Sequence, residues 1–206
     1  MIIHESVTLL TDYLLALLGG CLAWRLHRRI DSDQPAVRWW IRALVAMSVS
    51  AFVGGSYHGF APNLAAGLAA VWWRFVLVLV CAIGLCLGAS LIREIVPVNR
   101  QRGWNGLLVA KFMLSVVVVM IYPKFLLAML DYGLAMIAWA VAALFCRRAW
   151  SGWMLAAVGL SVVAGWVQQS GWGVPDHLDH NAVYHLIQAL ALFGFYRGGR
   201  LLGRSH

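Results

Sequence analysis

Seven long apolar stretches, separated by short polar breaks, constrain the fold of this 206-residue chain more than any other feature. A run of about 20 apolar residues is long enough for a helix to cross the hydrocarbon core of a bilayer. The sequence therefore predicts an all-α, polytopic membrane protein, a bundle of seven transmembrane helices. The stretches are 6–26, 38–58, 64–91, 104–122, 125–146, 150–169 and 180–202.

The breaks between these stretches carry the residues that end helices, as in "DSDQP", "APN" and "YPK". Connections this short leave no room for a second folded unit, so residues 1–206 are expected to form one transmembrane domain. The chain is 62% hydrophobic and has a net charge of +8. Because membrane proteins use basic residues to set their orientation, this charge does not indicate a nucleic-acid partner. Membrane lipid is the expected partner.

The basic residues fall on alternate connections. Thirteen of the sixteen Lys and Arg residues flank the first, third and fifth connections or close the chain. The second, fourth and sixth connections together contain only Lys124, whereas Arg74 and Lys111 lie inside apolar stretches. Since cytoplasmic loops are enriched in Lys and Arg, the pattern predicts an N-terminus outside and a C-terminus inside.

Most polar residues inside the stretches fall in the predicted outer half of the bundle, and Lys111, nearer the inner face, is the exception. Asp12, Arg74 and Asp131 are the charged residues of this outer group. A charge within the bilayer costs about 2.5–3.5 kcal/mol, so such residues usually face the bundle interior and pair. These three are expected to form a buried network, which is either a salt bridge joining the helices or part of a substrate or proton site.

Three histidines, His58, His180 and His185, share the outer face because the second helix ends there and the seventh begins there. Imidazole is the commonest protein ligand of zinc, and three histidines with a water form a catalytic zinc site. A carboxylate such as Asp12 or Glu5 could then move the proton of that water. The spacing of the histidines also allows a hydrogen-bonded cluster without a metal.

The loop before the last helix, "GVPDHLD", has the composition of a turn followed by a helix cap. Aspartate side chains accept hydrogen bonds from the free amides of a first helical turn. We therefore expect Asp176 or Asp179 to be the N-cap of the seventh helix, and Asp179 is a further candidate for proton transfer.

Three short motifs occur in a recognisable order. The first helix begins "ESVTLLTD", the second ends "GGSYHG" and the last begins "HNAVYHLIQALALFGFYRG". In their order and in the helix count they resemble the seven-helix superfamily of alkaline ceramidases, progestin/adiponectin-type receptors and haemolysin III-like proteins. The last motif is similar to that of small bacterial membrane proteins, which implies a bacterial cytoplasmic (inner) membrane.

The resemblance implies a chemistry. In the ceramidase-like branch, histidines of the second and seventh helices hold zinc, and the reaction is hydrolysis of a lipid amide. His58 and His185 would then be zinc ligands, Glu5 would brace the start of the first helix, and Ser56 would be the serine near the helix 2 histidine.

At the superfamily's first helix 7 histidine position this chain has Asn181, and His180 precedes it. The first functional hypothesis is a zinc-dependent hydrolase of a lipid amide or ester, with its site at the outer face and with Asp12, Glu5 and Ser56 as catalytic candidates. The alternative is a non-enzymatic protein, receptor-like or handling small solutes or protons. A purely structural bundle is the third possibility.

Overall fold

The computed structural model describes residues 2–30, 34–174 and 177–203. These residues form seven α-helices and contain no β-strand, which confirms the all-α prediction. The helices are α1 (Ser6–His27), α2 (Pro35–Phe60), α3 (Ala66–Ile95), α4 (Val98–Ile121), α5 (Phe125–Cys146), α6 (Ser151–Ser170) and α7 (His180–Gly199), with a short 3-10 turn (Ala61–Asn63) after α2.

The largest difference from the predicted boundaries is at α4, which begins at Val98 instead of residue 104. Apolar residues mark the part of a helix that can lie in lipid. The helix can continue into polar residues where its backbone and side-chain groups still make hydrogen bonds. Here Pro97 precedes the first turn, and Gln101 accepts a hydrogen bond from Arg93 at 2.9 Å. The basic segment therefore belongs to the helix and not to a loop.

Six of the helices in the described residues, α1 to α6, are long and apolar enough to cross a membrane. The seventh, α7, is outside this set. It carries His180, Asn181, His185, Gln188 and Arg197, which lower its mean hydropathy.

Six helices form a closed ring, and α4 lies outside it. The neighbours around the ring are α1, α2, α3, α5, α6 and α7, and α7 returns to α1. Helix α4 packs against α3 and α5 from outside, and Val119 is the one buried residue of this fully described helix. A ring of six helices is wide enough to leave space along its axis.

The expected network of Asp12, Arg74 and Asp131 is wrong, because each residue has a different partner. The carboxylate of Asp131 accepts from Lys111 Nζ at 2.7 Å and also bonds Ser115. Arg74 donates to the backbone carbonyls of Met120 and Ala70. Asp12 contacts His185 on α7.

The position of α4 explains this outcome. Because α4 begins early, Lys111 lies near its middle and not near one face of the bundle, and there it reaches the α5 carboxylate. Arg74 faces the end of α4 and not the axis of the ring.

Helices α3 and α5 approach closely at Gly84. A Cβ atom added there would collide with Oδ2 of Asp131 and would lie 3.1 Å from Cα of Tyr132. Small residues at such points allow membrane helices to pack backbone to backbone.

We expect Gly84→Ala to lower the free energy of unfolding by about 1–3 kcal/mol, because the added methyl group forces α3 away from α5. The matched control is Gly133→Ala on α5, where an added Cβ meets no atom within 4 Å. That variant should gain up to about 1 kcal/mol from helix propensity. Denaturant titration of the detergent-solubilised protein measures both, and an equal effect of the two substitutions would contradict the close approach.

Candidate functional site

A cavity of about 280 Å³ lies inside the ring of helices. Each of the six ring helices contributes lining residues, whereas α4 does not. We call the two ends of the bundle the His58 end, where α2 finishes and α7 begins, and the Trp40 end, where α2 begins and α7 finishes.

The cavity lining changes from polar to apolar along the bundle. Around the Trp40 end it consists of Trp40, Ala43, Leu44, Leu87 and Phe195. The polar lining residues are concentrated towards the other end and include Asp12, His58, Gln168, His180, Asn181, Tyr184, His185 and Gln188. The cavity therefore suits a ligand with a polar and an apolar part.

His185 is buried and is held through both ring nitrogens. Its Nδ1 lies 3.0 Å from Oγ1 of Thr11, and its Nε2 lies 3.1 Å from Oδ1 of Asp12. Thr11 and Asp12 are adjacent on α1, and each contacts one nitrogen of the His185 imidazole across the α1–α7 contact. The arrangement fixes the orientation of the imidazole.

His58 and Glu5 form a second pair at the same end. Nδ1 of His58 lies 2.8 Å from Oε2 of Glu5, and the glutamate side chain is half exposed. This contact leaves Nε2 of His58 as the nitrogen that could bind a ligand. A carboxylate on the other ring nitrogen is the usual way in which proteins orient a metal-binding histidine.

Asp179 joins the start of α7 to α1. Its Oδ1 accepts from the amide of Ala182 at 2.7 Å, and its Oδ2 accepts from the hydroxyl of Thr8 at 2.7 Å. This confirms Asp179 as the N-cap of α7, whereas the other candidate, Asp176, lies outside the described residues. The cap sets where α7 begins and hence where its histidines lie.

Sequence reasoning did not single out a second group of polar residues deeper in the cavity. The hydroxyl of Ser161 donates to Oε1 of Gln188 at 3.1 Å, and Nε2 of Gln188 lies 3.5 Å from the Tyr184 hydroxyl. The signal was present in the sequence, because Tyr184 and Gln188 are four residues apart and so share a helix face. The role of Thr11 as a partner of His185 was also missed. It depends on how α1 packs against α7, which the sequence does not show.

The remaining predicted site residues are distributed as follows. Asn181 and His180 line the cavity. Ser56 lies at the α1–α2 contact, where its hydroxyl bonds the Tyr13 hydroxyl at 2.9 Å and the carbonyl of Phe52 at 2.8 Å. Arg74 and Asp131 belong to the contacts of α4 and do not line the cavity.

The donor atoms for a metal are present, but they do not converge. Within the part of the chain that the structure describes, no three His, Cys, Asp or Glu side chains come close enough together to hold an ion. The two histidines with braced Nδ1 atoms are His58, held by Glu5, and His185, held by Thr11. Nε2 of His185 contacts Asp12, so an ion could bind this nitrogen only if that contact were broken.

Fold and site together define an all-helical protein with six helices able to cross a membrane and a cavity that is polar at one end. The chain belongs to DUF6962, a family of unknown function, which it matches over residues 7–204. The match covers all seven helices and the whole cavity lining. No curated protein and no solved structure matches the chain.

The Asp179 contacts predict a pH dependence of stability. Burial alone would raise the pKa of Asp179, but the bonds from Ala182 and Thr8, together with nearby His180 and His185, lower it below its ordinary value of 3.8. A carboxyl with a lowered pKa contributes stability above its unfolded-state pKa and loses it as the pH falls through the folded value.

Asp179→Asn keeps a cap acceptor and removes the titration. We therefore expect the wild-type protein to lose stability relative to Asp179→Asn as the pH falls below about 4. Thermal unfolding midpoints of both proteins across the acid range measure this. Parallel acid limbs for the two proteins would show that Asp179 does not titrate with folding.

Proposed function

We propose that the chain is an integral protein of a bacterial cytoplasmic membrane that crosses it seven times, with the N-terminus outside and the C-terminus inside. Helix α7 is included because it closes the ring between α1 and α6, both of which can cross a membrane. Its 20 residues span about 30 Å, the thickness of the hydrocarbon core. The distribution of Lys and Arg on alternate connections of the sequence supports this orientation.

Cysteine labelling tests whether α7 crosses the membrane. In a background whose four native cysteines are replaced by alanine, we expect His177→Cys to react with a membrane-impermeant maleimide in intact cells. Arg200→Cys, at the other end of α7, should react only after the cells are permeabilised. Labelling of both sites from the same side would exclude α7 as a span, and the reverse pattern would invert the orientation.

We further propose that the cavity is the site of a zinc-dependent hydrolase that acts on a lipid amide or ester. The observation that carries this proposal is that His58, His180, His185 and Asp12, from three helices, all line one cavity. The resemblance of the helix 1, helix 2 and helix 7 motifs to ceramidase-like proteins supports it. The apolar remainder of the cavity supports a lipid as the substrate.

The residues have distinct roles in this proposal. His58 and His185 would hold the metal through Nε2, with His180 as the third ligand and with Glu5 keeping the His58 ring in place. Bound zinc would supply a hydroxide near neutral pH and polarise the carbonyl of the substrate. Asp12, next to His185, is placed to take a proton from the attacking water and return it to the leaving group.

Metal analysis of the purified protein tests this function. We expect about one zinc per chain in protein prepared without chelator. The zinc should be lost in His58→Ala and in His185→Ala, and cleavage of acyl amides should require bound zinc. Glu5→Gln should weaken zinc binding by about 10–100-fold, because it loosens the His58 ring. His4→Ala, a histidine at the same end that does not line the cavity, is the matched control.

A second candidate function is supported by the contacts of His185. Both of its ring nitrogens contact protein side chains, so neither is free to bind a metal. The cavity would then bind an amphiphilic ligand without a metal, as a receptor-like protein does. In that case the purified protein contains no zinc, and ligand binding is insensitive to chelator. This outcome of the metal analysis would exclude the hydrolase.

A further inference from the structure

We propose that Trp40 is the floor of the central cavity and sets the length of the single apolar chain that the cavity admits. This inference rests on the proposed lipid-binding function of the same cavity. It adds a substrate class, a single-chain amphiphile of limited chain length whose polar group lies near His185.

The shape of the cavity favours one chain. Trp40 and His58 both line it and are eighteen residues apart on α2, which corresponds to about 27 Å along the helix. A volume of about 280 Å³ is at the small end of ligand pockets, and here it extends over most of the bundle. The small volume, with lining residues at both ends, indicates a channel that has no room for two hydrocarbon chains.

The polarity of the lining gives the chain its direction. Around Trp40 the wall is formed by Ala43, Leu44, Leu87 and Phe195, which offer hydrocarbon and aromatic surface. The titratable lining residues, such as His58 and His185, lie towards the opposite end. A polar head group is therefore expected beside the histidines, and the chain end beside Trp40.

Trp40 is held in place from several sides. Its side chain is 1% exposed, and its indole Nε1 donates to the carbonyl of Phe195 at 3.1 Å. Trp139 packs edge to face against it with ring centroids 5.0 Å apart. On α7, Gly199 lies so close that an added Cβ would collide with the indole ring. These contacts hold the indole in place on the sides that face α5 and α7.

More aromatic packing lies behind this floor. Trp139 is completely buried, and Trp150 packs edge to face against it with centroids 5.2 Å apart. The Trp150 indole nitrogen in turn donates to Glu94 at 2.9 Å. A chain that reaches Trp40 therefore meets a packed stack of three indoles, and its length is limited at that point.

Binding of saturated fatty acids of increasing length to the full-length protein in nanodiscs tests the proposal. Affinity, referred to the free aqueous concentration of each fatty acid, should rise about four-fold for each added methylene, the value for transfer of one such group from water. It should stop rising at the length that reaches Trp40. We expect Trp40→Leu to move this limit to longer chains and Ala43→Leu, which narrows the channel above the floor, to move it to shorter chains.

Trp150→Leu is the matched control, because it makes the same change in a tryptophan that Trp139 separates from the cavity. It should leave the limit unchanged. If the chain length at which affinity stops rising is the same in Trp40→Leu and Ala43→Leu as in the wild type, the role of Trp40 is overturned. The hydrolase proposal is then unaffected. A limit that moves as expected, without amide cleavage, supports the floor and removes the hydrolase. If no fatty acid binds, or only two-chain lipids bind, the single-chain proposal is overturned, whereas the hydrolase proposal is decided by the zinc content and by amide cleavage.

Discussion

The polar contact between α1 and α7 is the interaction on which the architecture depends. Thr8 bonds the Asp179 cap, and one turn further along Thr11 and Asp12 hold the buried ring of His185. Between helices in a membrane, apolar packing gains little over contact with lipid, so polar bonds and close packing select the partners. Each bond contributes only about 0.6 kcal/mol on average. Their main effect is therefore to specify which helices meet and at what depth.

These contacts allow α7, the most polar helix of the ring, to complete it. Helix α7 is less apolar than its neighbours in the ring. Its His180, Asn181, Tyr184, His185 and Gln188 line the cavity, and His185 and Gln188 also contact α1 and α6. Without α7 the ring would open and the cavity would not exist. The same side chains that make α7 a poor span by hydropathy therefore make it the helix that builds the site.

Helix α4 shows the opposite case, in which charges inside an apolar helix pair with a neighbouring helix and do not line the cavity. Lys111 and Asp131 neutralise each other across the α4–α5 contact, outside the ring. Removal of one partner would leave an uncompensated buried charge, so loss of protein after mutation of either residue would say nothing about the cavity. The charged residues that bear on the proposed functions are Asp12 and Glu5, because they contact the cavity histidines.

The lining of the cavity connects the two functional proposals. Both require a polar group beside His185 and a chain along the apolar wall, and they differ only in whether His185 keeps its bond to Asp12 or gives it up to a metal. The match to DUF6962 spans residues 7–204, which include every residue that lines the cavity.

The sequence by itself determined the helix count, most helix ends and the end of the bundle at which the histidines gather. It could do so because a chain in lipid must satisfy its backbone within helices, and apolar length reports those helices directly. It also identified the Asp179 cap, which depends only on local geometry. The partners of Asp12, Arg74 and Asp131 were decided by the tertiary structure alone. These helices are apolar on nearly every side, so the sequence carries little information about which face turns inward, or that α4 lies outside the ring.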